Sequence, residues 1–337
     1  MKKTCLIIVS VLVLLIAALG ATSCATPLRK FEVTRSMMDT FVTVTVYADD
    51  EAKADEAINA AFDRMEEIVK VASIFDEESQ AFQLNRDGYL EAPSEDLRQL
   101  IIRSLEYSKL TDGAFDITVQ PLLELWEAGL WQNPQEVQQR RVNETLELVG
   151  WDKIVVEKDE IYFTEEGMKI TLDGIAKGYA VDEALKTIKR LGVKSALVNA
   201  GGDMAALGSK PGGEPWFIAL YNPDDLTQSL MNFDIVNKAV TTSGNYARYF
   251  DPEKTAHHII NPKTGYSAQE CISATVIADS TTQADALATS IFVMGPEAGV
   301  ELVESLSNVE CLIIGADRKP YGSSGLYMYS AESEVEE

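Results

Sequence analysis

The sequence predicts an α+β fold, a single domain with a mainly antiparallel sheet and surrounding helices. Apolar residues recur at helical spacing through long segments of the first half, and after Trp151 the pattern shifts to short β-rich runs joined by gaps of hairpin length. No Pro/Gly/Ser-rich linker, low-complexity tract or internal repeat divides the 337 residues, so one domain is expected despite the length.

In chain order, residues 41–47 read as a strand and 51–71 as a helix, in which Ala57, Ala60, Ala61, Met65 and Ile68 share a face. Further helix is expected at 95–109 and 134–149. Strands are expected at 154–156, 161–163, 169–172, 196–199, 216–221, 230–235, 273–278 and 311–314, interrupted by helices at 175–191 and 282–294. A doubly wound nucleotide fold is disfavoured, because no Gly-x-Gly-x-x-Gly follows a strand and no Walker-type Gly-Lys-Ser/Thr occurs.

The chain opens with Lys2 and Lys3, an apolar run from Cys5 to Leu19, and small residues leading into Thr22-Ser23-Cys24-Ala25. That is the layout of a secretory signal, too short for a comfortable transmembrane helix. A cysteine directly after the small residues resembles the lipobox of bacterial lipoproteins. It implies cleavage after residue 23, lipid on Cys24, and an extracytoplasmic protein anchored to a bacterial membrane. The expected organisation is therefore a lipoprotein signal peptide (1–23), a lipid-anchored tether (24–35), a globular domain (36–330) and an acidic tail (331–337).

The formal net charge is -24, and loss of Lys2 and Lys3 with the signal leaves a still more acidic chain. Nucleic acid and anionic lipid are unlike partners for such a surface. Cys271 and Cys311 are the cysteines left in the domain; an export compartment permits a bridge, and two buried thiols are the alternative. With two histidines and no Cys-x-x-Cys pair, any metal would be held by oxygen.

Several segments carry residues suited to chemistry. On a helix, Asp285 and Thr289 stand one turn apart on one face, a carboxylate and a hydroxyl that can share a hard cation; the same pattern also suits a capped helix start. In 172–180, a glycine turn leads into a helix, where Gly174 permits close backbone approach and Lys177 adds a cation. Gly113-Ala114-Phe115-Asp116, closed by Pro121 and Trp126, sets an aromatic ring beside an acid, as a planar hydrogen-bonding heterocycle requires. Asn199-Ala200-Gly201-Gly202-Asp203 reads as a bulge or a close approach to ligand. The hydroxyl-rich 241–246 precedes His257-His258 and a Pro-Lys-Thr-Gly turn, and both look like site-forming loops.

Taken in order, Met38-Asp39-Thr40 and segments 113–126, 173–182, 199–203, 242–248, 257–265 and 281–295 resemble the ApbE family of FAD:protein FMN transferases. The resemblance covers nearly all of the chain after residue 24. It implies a Mg2+-dependent enzyme that cleaves FAD and attaches FMN by a phosphoester to a Thr or Ser of a membrane or exported redox protein, releasing AMP. Carried over, the flavin nucleotide site takes Met38, Phe75, Ala114, Phe115, Asp116, Thr171, Lys177 and Ile260. The metal takes the carbonyls of Gly174 and Ala288, the Asp285 carboxylate and the Thr289 hydroxyl, an oxygen set that suits Mg2+. Lys177 adds charge at the phosphates, and His258 is the candidate acceptor of the hydroxyl proton.

The sequence departs from the family pattern at Asp39 (usually Gly), Phe75 (commonly Tyr), Thr171-Leu172-Asp173-Gly174 (usually Asp-Leu-Gly-Gly) and Asn261 (usually Asp). Two alternatives use the same site: a Mg2+-dependent FAD pyrophosphatase giving FMN and AMP, and a non-catalytic FAD-binding lipoprotein.

Overall fold

A computed structural model describes residues 27–223 and 225–331. The signal segment, Cys24 and all but the first residue of the acidic tail lie outside the described residues.

Strands β1 (Arg29–Met37) and β2 (Thr40–Ala48) form a hairpin whose turn residues Met38 and Asp39 have φ of 53° and 55°. Two left-handed residues in succession make the tight turn, which explains why glycine is favoured there and why aspartate tolerates it. The domain thus starts at Arg29 and not at residue 36. Part of the expected tether is an edge strand, with Arg29, Lys30, Glu32 and Arg35 supplying the charges that edges carry.

Helix α1 (Glu51–Ala72) is capped by Asp50, which accepts from the amides of Ala52 and Lys53. There follow α2 (Gln80–Asp87), β3 (Tyr89–Glu91), α3 (Glu95–Leu110), α4 (Gln120–Glu127), α5 (Gln135–Leu146), β4 (Ile154–Val156), β5 (Glu160–Phe163) and α6 (Ala176–Arg190). Strands β6 (Ala196–Ala200), β7 (Asp203–Leu207), β8 (Trp216–Asn222), β9 (Asp225–Ile235), β10 (Ala239–Gly244) and β11 (Cys271–Ala278) precede α7 (Thr281–Met294), α8 (Pro296–Glu304), β12 (Glu310–Gly315) and β13 (Pro320–Gly322).

The main sheet has eight strands in the order β1-β2-β6-β7-β10-β11-β12-β13, every neighbouring pair antiparallel. Its alternating side chains serve two cores. On one face, Val42, Val44, Val46, Val198 and Val276 meet the buried stripes of α1 (Ile58, Phe62, Met65), α6 (Val181, Ala184, Ile188) and α7 (Leu287, Ile291). On the other, Val240, Ile277 and Leu312 meet Trp216, Ile218, Phe233 and Ile235 of the β8–β9 ribbon.

Residues 169–172, expected as a strand, join no sheet. The Asn85 side chain takes the place of a neighbouring strand: its amide donates to the Ile170 carbonyl (2.8 Å) and its oxygen accepts from the Ile170 N–H (2.7 Å). The Thr171 N–H donates to the Ile117 carbonyl at 2.7 Å. The segment is extended and apolar, but its backbone is satisfied by a side chain and a loop. Cys271 and Cys311 are both free and buried on adjacent strands, out of register with each other, each thiol pushed up to about 12 by burial.

Candidate active site

A cleft of about 510 Å³ opens where the loop preceding α6, the β6–β7 turn, the end of β10, the β8–β9 ribbon and the 258–262 segment meet. It brings together Ala114, Phe115, Asp116, Thr171, Gly174, Lys177, His258, Ile260, Asp285 and Thr289, residues scattered through most of the chain. Met38, Phe75 and Ala288 do not line it. Met38 sits on the hairpin turn beside the core, Phe75 stands 73% exposed on the α1–α2 loop, and Ala288 is enclosed within α7.

Helices α6 and α7 hold the charged floor. Asp182 of α6 accepts from the Thr281 and Thr282 amides at 2.8 and 2.9 Å, satisfying the first free N–H groups of α7 and fixing its start. Gly178 lets the helices close, for a Cβ there would stand 2.5 Å from the Thr281 carbonyl oxygen. The Gly178 N–H donates to Asp285 Oδ2 at 3.0 Å. Thr289, one turn further, has its hydroxyl 3.2 Å from Ser243 Oγ and from the point where a Cβ on Gly174 would lie. The Gly174 turn and the Asp285/Thr289 face of α7 are therefore neighbours.

Lys177 Nζ lies 2.5 Å from Asp203 Oδ2. Burial opposes the Lys177 charge, but Asp203, then Asp285 and Asp173, outweigh it and hold the ammonium above the usual lysine range. Asp203 and Asp285, 3% and 5% exposed, are both raised chiefly by burial, Asp285 to about 8 with Asp203 as its second cause. Lys177 is thus charged, and one ammonium faces two buried carboxylates. This is an environment short of positive charge.

The adjacent histidines divide their roles. His257 is core: Nε2 is 2.8 Å from the Ala268 carbonyl, Nδ1 accepts from the Ile259 amide, and the ring packs edge-on against Phe292. His258 lines the cleft with Nδ1 3.2 Å from the Arg248 carbonyl. A carbonyl only accepts, so Nδ1 carries the proton and Nε2 is left with a free lone pair. Burial first, then the Arg248 guanidinium, lower His258 to about 4, which keeps the ring neutral.

Asp116 differs from the expectation of a ligand-facing carboxylate. Its Oδ1 accepts from the amide and hydroxyl of Thr118 (2.8 and 2.6 Å) and its Oδ2 from the Trp151 amide (3.0 Å), so both oxygens serve the loop although the residue borders the cleft. Phe115 beside it packs edge-on against Tyr107. Asp173, the extra carboxylate of the Gly174 turn, lies 3.6 Å from Arg248, whose other arm is 3.8 Å from Glu127. Sequence reasoning gave neither Asp203 nor Arg248 a task, although both sit in segments it singled out. The partners that define those tasks lie elsewhere in the chain: Lys177 on α6 for Asp203, and Asp173 and Glu127 for Arg248.

The fold, with a cleft lined by both charged and apolar side chains, is that of an α+β enzyme. The chain belongs to the ApbE family, whose model matches residues 38–313. It is 28% identical over 335 residues to the FAD:protein FMN transferase of Haemophilus influenzae, with 94% of each chain covered. The ApbE protein of Thermotoga maritima superposes with a TM-score of 0.81 at 30% identity, covering 90% of this chain and all of that one. The flavinyl transferase ApbE of Pseudomonas stutzeri superposes with a TM-score of 0.78 at 25% identity, covering 90% of this chain and 99% of the other.

Proposed function

We propose that the protein is a Mg2+-dependent FAD:protein FMN transferase that moves FMN from FAD to a Thr or Ser hydroxyl of an acceptor redox protein and releases AMP. The observation that carries it is the convergence of the buried Asp203 and Asp285 carboxyl groups, the Thr289 hydroxyl and the Lys177 ammonium on one cleft that His258 also lines. The family membership and the names of the curated relatives supply the flavin.

The donors fit a magnesium ion. In this reading a cation is held by the Asp285 carboxylate, the Thr289 hydroxyl and backbone carbonyls; among the described residues no group of three or more His, Cys, Asp or Glu side chains is arranged for a metal. Asp285 and Thr289 stand one turn apart on α7 with the Gly174 turn against Thr289, and Ala288 is on the same helix, which supports that reading. Such a site leaves room for waters and phosphate oxygens, as Mg2+ prefers. When bound, the ion would neutralise charge on the pyrophosphate and on the departing AMP.

The chain's own groups do the remainder. Lys177 presents its ammonium to the cleft while anchored on Asp203. Phe115 and Ile260 give an apolar wall, and backbone turns at Gly174 and Gly201–Gly202 let phosphates approach amides. The acceptor hydroxyl oxygen attacks the FMN phosphorus, the P–O bond to AMP breaks, and the proton passes to His258 Nε2. Neutral imidazole is ready for this at any pH well above 4, and a loose transition state needs the proton removed only late.

A lipid anchor at Cys24 would hold the domain outside the cytoplasm near membrane-bound or exported acceptors and raise its effective concentration there. Among the described residues no helix is long and apolar enough to cross a membrane.

The test is to incubate the protein with FAD and Mg2+, with and without an acceptor protein, and follow AMP, free FMN and protein-bound flavin. AMP appearing with acceptor, equal in amount to covalent flavin, is the expected result. Free FMN in place of bound flavin would make the protein a pyrophosphatase, and absence of AMP under every condition a passive binder.

A further inference from the structure

We propose that Asp203 is a positioning residue for the cation site: it holds the Lys177 ammonium away from Asp285 and so reserves the Asp285 carboxylate for a divalent cation. The inference rests on the cation site proposed above.

Three charged side chains from three elements converge at the floor of the cleft: Lys177 from α6, Asp203 from the first position of β7, and Asp285 from α7. One ammonium can neutralise one carboxylate. In a poorly hydrated floor, where charges attract strongly, its choice of partner decides which carboxylate is left for another cation. The choice is visible. Lys177 Nζ lies 2.5 Å from Asp203 Oδ2, whereas Asp285 takes the backbone amide of Gly178, the next residue.

Asp203 is fixed in that task by its turn. Gly201 and Gly202 have φ of 64° and 104°, left-handed conformations suited to glycine. The Gly202 N–H donates to Asn199 Oδ1 at 2.9 Å, and Gly201 abuts Thr40, whose hydroxyl would stand 2.4 Å from a Cβ. The carboxylate is thereby held at the bottom of the cleft, 3% exposed, with Lys177 as its counter-charge.

Without the Asp203 charge, Lys177 keeps its flexible stem and already lies in the field of Asp285. The ammonium would then pair with Asp285 and compete with a cation for the same oxygen.

The probe is Mn2+ alone, titrated into the purified protein without FAD, with free Mn2+ read from its EPR signal. Asp203→Asn, near in shape and uncharged, is expected to weaken Mn2+ binding roughly 10–100-fold, as loss of groups that organise metal ligands does. The double variant Asp203→Asn/Lys177→Met, which lacks the competing ammonium, is expected to bind Mn2+ nearly as the unaltered protein does. Thermal unfolding of both variants checks that each is folded. Undiminished binding by Asp203→Asn overturns the proposal, and so does a double variant that binds as poorly as the single one. Mn2+ binding indifferent to Asp285→Ala would instead overturn the cation site itself, a separate result that no Asp203 variant can mimic.

Discussion

The backbone amide of Gly178 donates a hydrogen bond to the Asp285 carboxylate at 3.0 Å, across a helix contact so close that a Cβ on Gly178 would meet the Thr281 carbonyl oxygen at 2.5 Å and the Asp285 Cβ at 2.9 Å. Both of those close contacts are with rigid helical backbone or the stem of the site residue itself. Gly178→Ala must therefore push α6 and α7 apart. Overpacking of this kind costs about 1–3 kcal/mol, which urea unfolding would detect, and divalent-cation binding should weaken with it.

His258 sets an unusual pH profile. Its folded value of about 4 lies below the ordinary 6.5, so between those limits the unfolded chain binds more protons than the native one. The stability from burying neutral His258 is therefore complete above pH 6.5 and is lost as pH falls towards 4. His258→Gln should flatten the stability curve in that window. The acid limb of kcat/KM, which reports the free enzyme, should fall near pH 4; a limb at 6.5 would show that the imidazole is not held as the structure holds it.

Away from the cleft, Arg64 of α1 ties three helices together. Its guanidinium lies 2.5 Å from Asp96 of α3 and 3.2 Å from Glu183 of α6, and the Tyr179 hydroxyl donates to the same Asp96 at 2.9 Å. These side chains are 15–20% exposed, so solvent screens them only in part. Arg64→Met strands two half-buried carboxylates and should cost about 2–3 kcal/mol of stability, somewhat below the fully buried case. Denaturant unfolding at pH 7 is the measurement, and FAD affinity should change little because none of the four residues lines the cleft.

Most of the architecture was readable from periodicity. Helices α1, α3 and α6 carry apolar stripes, α1, α3 and α7 are capped by Asp50, Ser94 and Ser280, and β2, β6, β8 and β11 carry runs of strand-forming residues. What escaped has physical reasons. β1 alternates correctly, but its charges disguise an edge strand as a tether. β10, Ala-Val-Thr-Thr-Ser-Gly, looks like a polar loop, yet it lies between β7 and β11, where Thr242 finds Thr275 across the strands at 2.9 Å. Residues 169–172 look like a strand because the signal for burial is the same when Asn85 replaces the neighbour. The motifs identified most of the cleft residues, but not that Asp116 is turned to its own loop, that His257 is core, or that Lys177 belongs to Asp203. Those assignments depend on partners up to 35 residues away along the chain, and no local pattern encodes them.

On the proposed mechanism, flavin transfer depends on an oxygen-liganded divalent cation held at Asp285. This dependence is tested most directly by measuring covalent flavin on an acceptor protein, from FAD and Mg2+, with the unaltered chain and with Asp285→Ala, both shown by circular dichroism to be folded. The variant is expected to transfer no measurable flavin, and a chelator to abolish transfer by the unaltered chain. Full transfer by Asp285→Ala would contradict that dependence.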